Sequence, residues 1–229
     1  VVVELVKHSA GDADVLWAAR VSTKGDQSAV DVDADSAASA GLINYLMRDR
    51  HGSPFEHSVF TFFVKAPIFM WREHFRHRMA SYNEESGRYK VLEPEFYVPG
   101  PERKLIQVGK PGAYEFVDGT AEQFDLVTNE TKKACAVAYE SYEAMLEAGV
   151  AREVARIVLP VTIYSSAYVT MNARAMMNFI SLRRKAEGSH FPSFPQREIE
   201  MVAEKYEEEF KRLMPLTHAS FVSNGRVAP

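Results

Sequence analysis

Between Phe75 and Tyr89 the chain reads Phe75-Arg76-His77-Arg78-Met79-Ala80-Ser81-Tyr82-Asn83-Glu84-Glu85-Ser86-Gly87-Arg88-Tyr89. The thirteen residues from Arg76 to Arg88 include three Arg, one His, two Ser, one Asn and two Glu, with almost no aliphatic side chain available to bury them. Guanidinium forks match phosphate oxygens, Ser hydroxyls and loop N–H groups add neutral donors, and a carboxylate accepts from a base or a ribose. The grouping is that of a nucleotide pocket. Composition alone also allows a plainer arrangement, in which Arg72, Glu73 and Arg76 form a solvated helix face of i,i+3 and i,i+4 partners.

The single cysteine, Cys135, excludes an intramolecular disulfide and a multi-thiolate metal site. Ala134, Cys135, Ala138, Tyr142 and Met145 recur at helical spacing, so the thiol is expected to be buried and structural rather than nucleophilic. His51 and His57 stand near Ser53, Pro54 and Glu56, but not at a metal-ligand spacing, and no metal is expected. His57 reads as a satisfied structural histidine and His74 as a surface or interface residue. Tyr89, Tyr97, Tyr164 and Tyr168 suit either stacking on planar ligands or core and interface packing.

These residues must be held by a mixture of helices and strands. Val1–Val6 is strand-like, and Asp12 or Asp14 is placed to cap a helix through Ala19 with Trp17 facing in, leaving Ser22 just beyond it. The polar stretch Gly25–Ser39 leads to a second helix ending near Arg50, with Leu42, Tyr45 and Leu46 as its stripe. Val59–Ala66 alternates as a strand, Pro67 suits the first turn of a helix from Ile68 to about Ala80, and glycines and prolines, Pro111 and Gly112 among them, keep Ser81–Gly119 to loop and short strands. A helix over Ala121–Ala148 turns Phe124, Val127, Tyr142 and Leu146 inward, and a short helix over Arg152–Leu159 is stopped by Pro160. Val161–Met171 follows as a strand, Asn172 opens a helix to about Lys185, and Pro195 starts the last helix, carrying Ile199, Val202, Tyr206 and Phe210. Glu204 to Arg212 reads as a solvated face. Irregular mixing of helices and strands without β-α-β repeats predicts an α+β single domain spanning 1–229, with a mixed or antiparallel sheet packed by helices.

The order Arg-His-Arg-x-x-Ser-x-Asn-Glu-x-Ser-x-Arg, which Arg76 to Arg88 follows without departure, resembles the signature of the flavin-dependent thymidylate synthases. Further blocks extend the resemblance over nearly the whole chain. They are Ala18-Ala19-Arg20-Val21-Ser22, His51-Gly52-Ser53-Pro54-Phe55-Glu56-His57, Arg152 through Pro160, and Asn172-Ala173-Arg174 through Asn178-Phe179 to Leu182-Arg183. The resemblance implies a homotetramer with active sites shared between subunits, binding FAD and dUMP together, with 5,10-methylenetetrahydrofolate and NADPH as co-substrates. It implies FAD contacts from Ser22, Ser53, Arg76, His77, Arg78, Glu84, Asn172, Arg174 and Asn178, with His51 beside the flavin. It implies dUMP contacts from Glu73, Arg76, Glu84, Glu85, Ser86, Gly87, Arg88, Arg156 and Arg183. Arg183 matches the arginine assigned to polarising the uracil. That role is consistent with the lone cysteine, since without a placed thiol the pyrimidine must be activated electrostatically. The chain departs from the family pattern at Glu200, acidic where a basic residue often follows Gln-x-Glu-Ile, and in the Pro-rich Glu187–Pro195 link; both bear on C-terminal contacts to folate or flavin.

A net charge of −4 carries no global basic excess, which argues against a nucleic-acid partner or an anionic membrane surface. No stretch approaches a bilayer-spanning apolar run, and Val1-Val2-Val3 lacks the flanks of a signal peptide, so a cytoplasmic protein is expected. Two rival readings keep part of this picture: a nucleotide-binding module without turnover, and a flavin-folate methyltransferase acting on RNA.

Overall fold

The computed structural model describes residues 1–25, 34, 36–110 and 113–229. Most of the Gly25–Ser39 stretch, and the breakers Pro111 and Gly112, lie outside the described residues. The architecture is α+β, and the described chain gathers into two compact units: residues 1–64, 75–83 and 168–229, and residues 65–74 and 84–167.

The first unit holds most of a four-stranded sheet in the order β1-β2-β6-β3, where β1 is Val2–Ser9, β2 Val59–Pro67, β3 Ser81–Glu84 and β6 Tyr164–Asn172. Thr61 bonds Thr170 and Phe63 packs on Tyr168, two residues forward on β2 and two back on β6, which is the antiparallel register. Alternation buries Phe60, Phe62 and Val64 from β2 and Val169 and Met171 from β6. Against this face lie α6 (Ala173–Arg183) and α7 (Arg197–Leu213). Asn172 caps α6, its side chain accepting from the Ala175 N–H at 2.9 Å, as its sequence position predicts. The buried stripe Ile199, Val202, Tyr206, Phe210 turns α7 onto the core, where the Tyr206 ring meets Phe62 at 4.3 Å and Phe179 at 5.3 Å.

Several local expectations are corrected in this unit. Helix α1 covers Asp12–Lys24, because nothing between Val21 and Lys24 breaks it before Gly25 turns at φ +69°, so Ser22 lies inside the helix. Trp17 is partly exposed, edge-on to His57, which is itself exposed. Asp12 does not cap its own helix. Its buried carboxylate accepts from Leu216 N–H at 2.8 Å, Thr217 N–H at 2.9 Å and Thr217 Oγ1 at 2.6 Å, serving the start of α8 (Pro215–Ser223), a helix the periodicity does not reveal. In α2 (Ala37–Arg48) the buried stripe is Ile43, Leu46 and Met47, while Tyr45 turns out to stack on His51 at 5.5 Å. Pro67 ends β2 rather than opening a helix, and α7 begins after Gln196, past Pro195.

The run Glu204 to Arg212 is not wholly solvated. Glu207 is buried and binds Arg226 Nη2 through both oxygens (2.7 and 2.6 Å), His218 Nε2 at 2.8 Å, and Arg184. Despite the cost of burial, hydrogen bonds from His218 and Arg226 and the charges of Arg226 and Arg184 hold its carboxyl down at about 2. Glu200 also has a local role, accepting from Lys185 N–H at 3.1 Å and pairing with Arg197 at 3.0 Å.

In the second unit, α3 (Ile68–His74) is shorter than its sequence suggests, and His74 is buried against Trp71 rather than at the surface. The Trp71 indole donates to Ser165 O at 3.0 Å. β4 (Ile106–Lys110) and β5 (Ala113–Val117) form an antiparallel hairpin, the short strands expected in this region. α4 (Ala121–Glu147) opens with a Thr120/Gln123 capping box and buries only Cys135 and Tyr142; Phe124, Val127 and Leu146 stay partly exposed. Cys135 contacts Thr162 Oγ1 at 3.3 Å, the structural placement expected of it. α5 (Arg152–Ala155) continues as a 3-10 turn over Arg156–Val158.

Two stability predictions follow from the buried carboxylates. Asp12→Ala is expected to lower stability by roughly 1–3 kcal/mol, with Asp12→Asn losing less, read from chemical-denaturation midpoints. Because the Glu207 carboxyl is depressed in the folded chain, its contribution is complete above its ordinary value near 4.5 and is lost as pH falls toward 2. Its loss corresponds to roughly 3 kcal/mol, so Glu207→Gln should unfold earlier at pH 7 and show a flatter stability profile between pH 5 and 2.

Candidate active site

After α3 the chain leaves the helical path and enters β3 at Ser81. The Tyr82 hydroxyl donates to the His77 carbonyl at 2.7 Å, and the Phe75 ring packs edge-on against Tyr82 at 5.0 Å, so one side chain closes the turn on both sides. Burial pushes the Tyr82 phenol up to about 12, so it remains a donor at any physiological pH. The turn faces α6, and together they bound a cavity of about 530 Å³. Arg76, His77, Arg78 and Asn178 line it with polar groups, and Met171, Phe179 and Leu182 with apolar ones.

Two α6 side chains one turn apart grip His77. The Phe179 ring lies 4.5 Å from the imidazole centroid, and Arg183 Nε donates to His77 Nε2 at 3.0 Å. Burial, with the positive charge of Arg183 added, pushes the imidazole down to about 4. His77 is therefore neutral at physiological pH, as an acceptor for a guanidinium requires.

The other residues expected around a flavin in this unit lie outside that lining. Ser22 Oγ donates to Ala19 O at 3.0 Å within α1, Ser53 is exposed in a 3-10 turn, and Asn172 is engaged as a cap. Arg174 donates to Glu56 and to Pro229 O, both at 2.6 Å, and passes so close over Gly52 that a Cβ there would stand 2.5 Å from its guanidinium.

In the second unit the signature continues from Glu84 to Arg88. Ser165 Oγ donates to Glu84 Oε1 at 2.6 Å, while Glu85 and Ser166 exchange two bonds of 2.9 Å, Glu85 N–H to Ser166 O and Ser166 N–H to Glu85 Oε1. Lys90 pairs with the other Glu85 oxygen at 2.9 Å. Ser86 Oγ accepts from Arg88 N–H at 3.2 Å, and Arg88 Nε pairs with Glu153 at 2.5 Å. Gly87 is buried, and a Cβ there would come within 3.0 Å of Leu92 and 3.3 Å of Arg156. The exposed guanidiniums of Arg88 and Arg156 thus stand by one tight loop, while Glu73 lies half-buried on α3. Ser165 stands on the buried face that the alternation of its strand predicts, whereas the parts played by Ser166, Phe179 and Tyr82 depend on tertiary contacts that no local pattern reveals. Among the described residues, no group of three or more His, Cys, Asp or Glu side chains is arranged to hold a metal ion, and no helix is long and apolar enough to cross a membrane.

Comparison with known proteins gives the arrangement a context. The Thy1 family model, thymidylate synthase complementing protein, matches residues 4–216. The chain is 63% identical to the flavin-dependent thymidylate synthase of Streptomyces avermitilis, covering all of this chain and 94% of that protein. It is 57% identical to that of Tropheryma whipplei, covering all of this chain and 95% of that protein. Among solved structures, the UMP/dUMP methylase PolB from Streptomyces cacaoi superposes with a TM-score of 0.93 in complex with 5-Br dUMP and 0.91 with 5-Br UMP. Identity is 51% and 50%, over all of this chain and 97% and 96% of those chains. With this match along most of its length and an intact Arg76–Arg88 signature, the chain belongs to the Thy1 family of thymidylate synthase complementing proteins.

Proposed function

We propose that the protein is a flavin-dependent thymidylate synthase that converts dUMP, 5,10-methylenetetrahydrofolate and NADPH with a proton into dTMP, tetrahydrofolate and NADP⁺. The observation that carries this reading is Arg183 held on a neutral His77 beside a cavity lined by the Arg-His-Arg signature. That cavity suits a flavin: apolar walls from Met171, Phe179 and Leu182 match a flat aromatic ring, and Arg76 and Arg78 match its carbonyl oxygens or phosphates. When bound, FAD supplies the hydride chemistry, and folate supplies carbon.

The chain's own residues supply binding and charge. Cys135 is buried on Thr162, so a thiolate attack on C6 of the pyrimidine has no nucleophile here. Arg183 instead stabilises the negative charge that develops on a uracil carbonyl as C5 becomes nucleophilic. Arg88 and Arg156 bind the nucleotide phosphate, with Ser86 and the loop N–H groups around Gly87 as neutral donors. Glu84, held by Ser165, and Glu73 accept hydrogen bonds from ribose or base. Ser22, Ser53, Asn172, Arg174 and Asn178 are assigned to FAD. The enzyme works as a cytoplasmic homotetramer whose active sites draw residues from several subunits. Exposed apolar side chains along α4 and in the 152–158 turn support such an assembly: Leu126 is 62% exposed, Val137 59% and Ile157 76%.

A second substrate is favoured by PolB, a UMP/dUMP methylase about half identical to this chain. Initial rates with dUMP and UMP side by side decide whether the 2′-hydroxyl is tolerated.

The purified protein is expected to carry a flavin absorbance that bleaches with NADPH and to form dTMP. A folded preparation with neither property overturns the reading. Arg183→Ala should lower dTMP formation roughly 100- to 1,000-fold while retaining flavin, measured by single-turnover product analysis.

A further inference from the structure

We infer that His77 is a positioning residue, whose unprotonated Nε2 fixes the guanidinium of Arg183 in the orientation that dUMP activation requires. This rests on the reading of Arg183 given above but assigns His77 a task separate from flavin contact.

The geometry restrains the imidazole from several sides. Its backbone is fixed by Tyr82, whose hydroxyl holds the His77 carbonyl, and its ring is packed by Phe179. Its Nε2 lone pair receives Arg183 Nε at 3.0 Å. Phe179 and Arg183 lie four residues apart, so the helix face that packs the ring also delivers the guanidinium. A guanidinium has N–H donors only, so this contact needs an imidazole whose Nε2 carries no proton. Burial and the adjacent positive charge keep the ring in that form. Arg183 has long side-chain torsions and stands at the last residue of α6, where helical backbone bonds end. The bond at Nε disfavours rotamers that turn the guanidinium away from His77, and a charge aimed at one carbonyl oxygen depends on keeping one orientation.

Two variants separate this role from flavin binding and from folding. Gln places Oε1 close to where His places Nε2 and so keeps an acceptor, whereas Phe keeps the packing on Phe179 and removes it. For His77→Phe, kcat for dTMP formation should fall roughly ten- to a hundredfold, with the KM for dUMP, flavin content and melting temperature little changed. His77→Gln should recover most of that loss. In ¹⁵N-labelled enzyme, two-bond imidazole spectra should show His77 neutral with its proton on Nδ1, the signal being assigned by its loss in the Gln variant. The inference is overturned if Gln and Phe are equally impaired, if the Phe variant chiefly loses flavin, or if the proton sits on Nε2. Failure of the underlying reading looks different: Arg183→Ala would then turn over dUMP at the wild-type rate whatever the His77 variants do.

Discussion

The buried ring of Tyr206 is the contact on which the first unit's geometry turns. From α7 it touches Phe62 on the sheet and Phe179 on α6, so one aromatic side chain sets the spacing of three elements. The same α6 residue packs on His77, and one turn later α6 delivers Arg183. Core packing is therefore continuous with the candidate site, and protein interiors transmit small displacements because they are close-packed. A shift of α7 reaches the signature histidine through a single intervening side chain.

Buried charge then constrains what core packing leaves adjustable. Glu207 gathers Arg184, His218 and Arg226, which come from beyond α6, from α8 and from the segment after it. A carboxylate this deep is tolerable only when fully partnered, so the cluster favours one arrangement over near neighbours. Arg184 directly follows Arg183, and Ser193 Oγ donates to the Arg184 carbonyl at 2.6 Å. The chain leaving α6 is thereby tied on both its side chain and its backbone.

What could be read from the residues in advance was what depends on near neighbours. The alternation of β2, the Asn172 cap and the 3/4 stripe of α7 are local patterns, and each stands where the residues place it. The order of the signature was equally legible, because recognition of a motif needs no fold. Partners distant in sequence were not. Asp12 looks like a cap for α1 until Leu216 and Thr217 are brought to it, and Glu207 looks solvated until Arg226 is. The turn after α3 is not visible in the periodicity, because it is closed by Tyr82, a side chain beyond the expected helix. His74 reads as a surface or interface residue until Trp71 packs on it.

The bond between Asp12 and Leu216 spans 204 residues, and so has a consequence in time as well as in space. At bacterial or eukaryotic synthesis speeds of about 5–20 residues per second, the acceptor emerges roughly 10–40 s before its donor. Residues 84–167 are synthesised in that interval, whereas the unit that holds Asp12 waits for α8. On the ribosome the carboxylate of Asp12 therefore stays hydrated until α8 has been made.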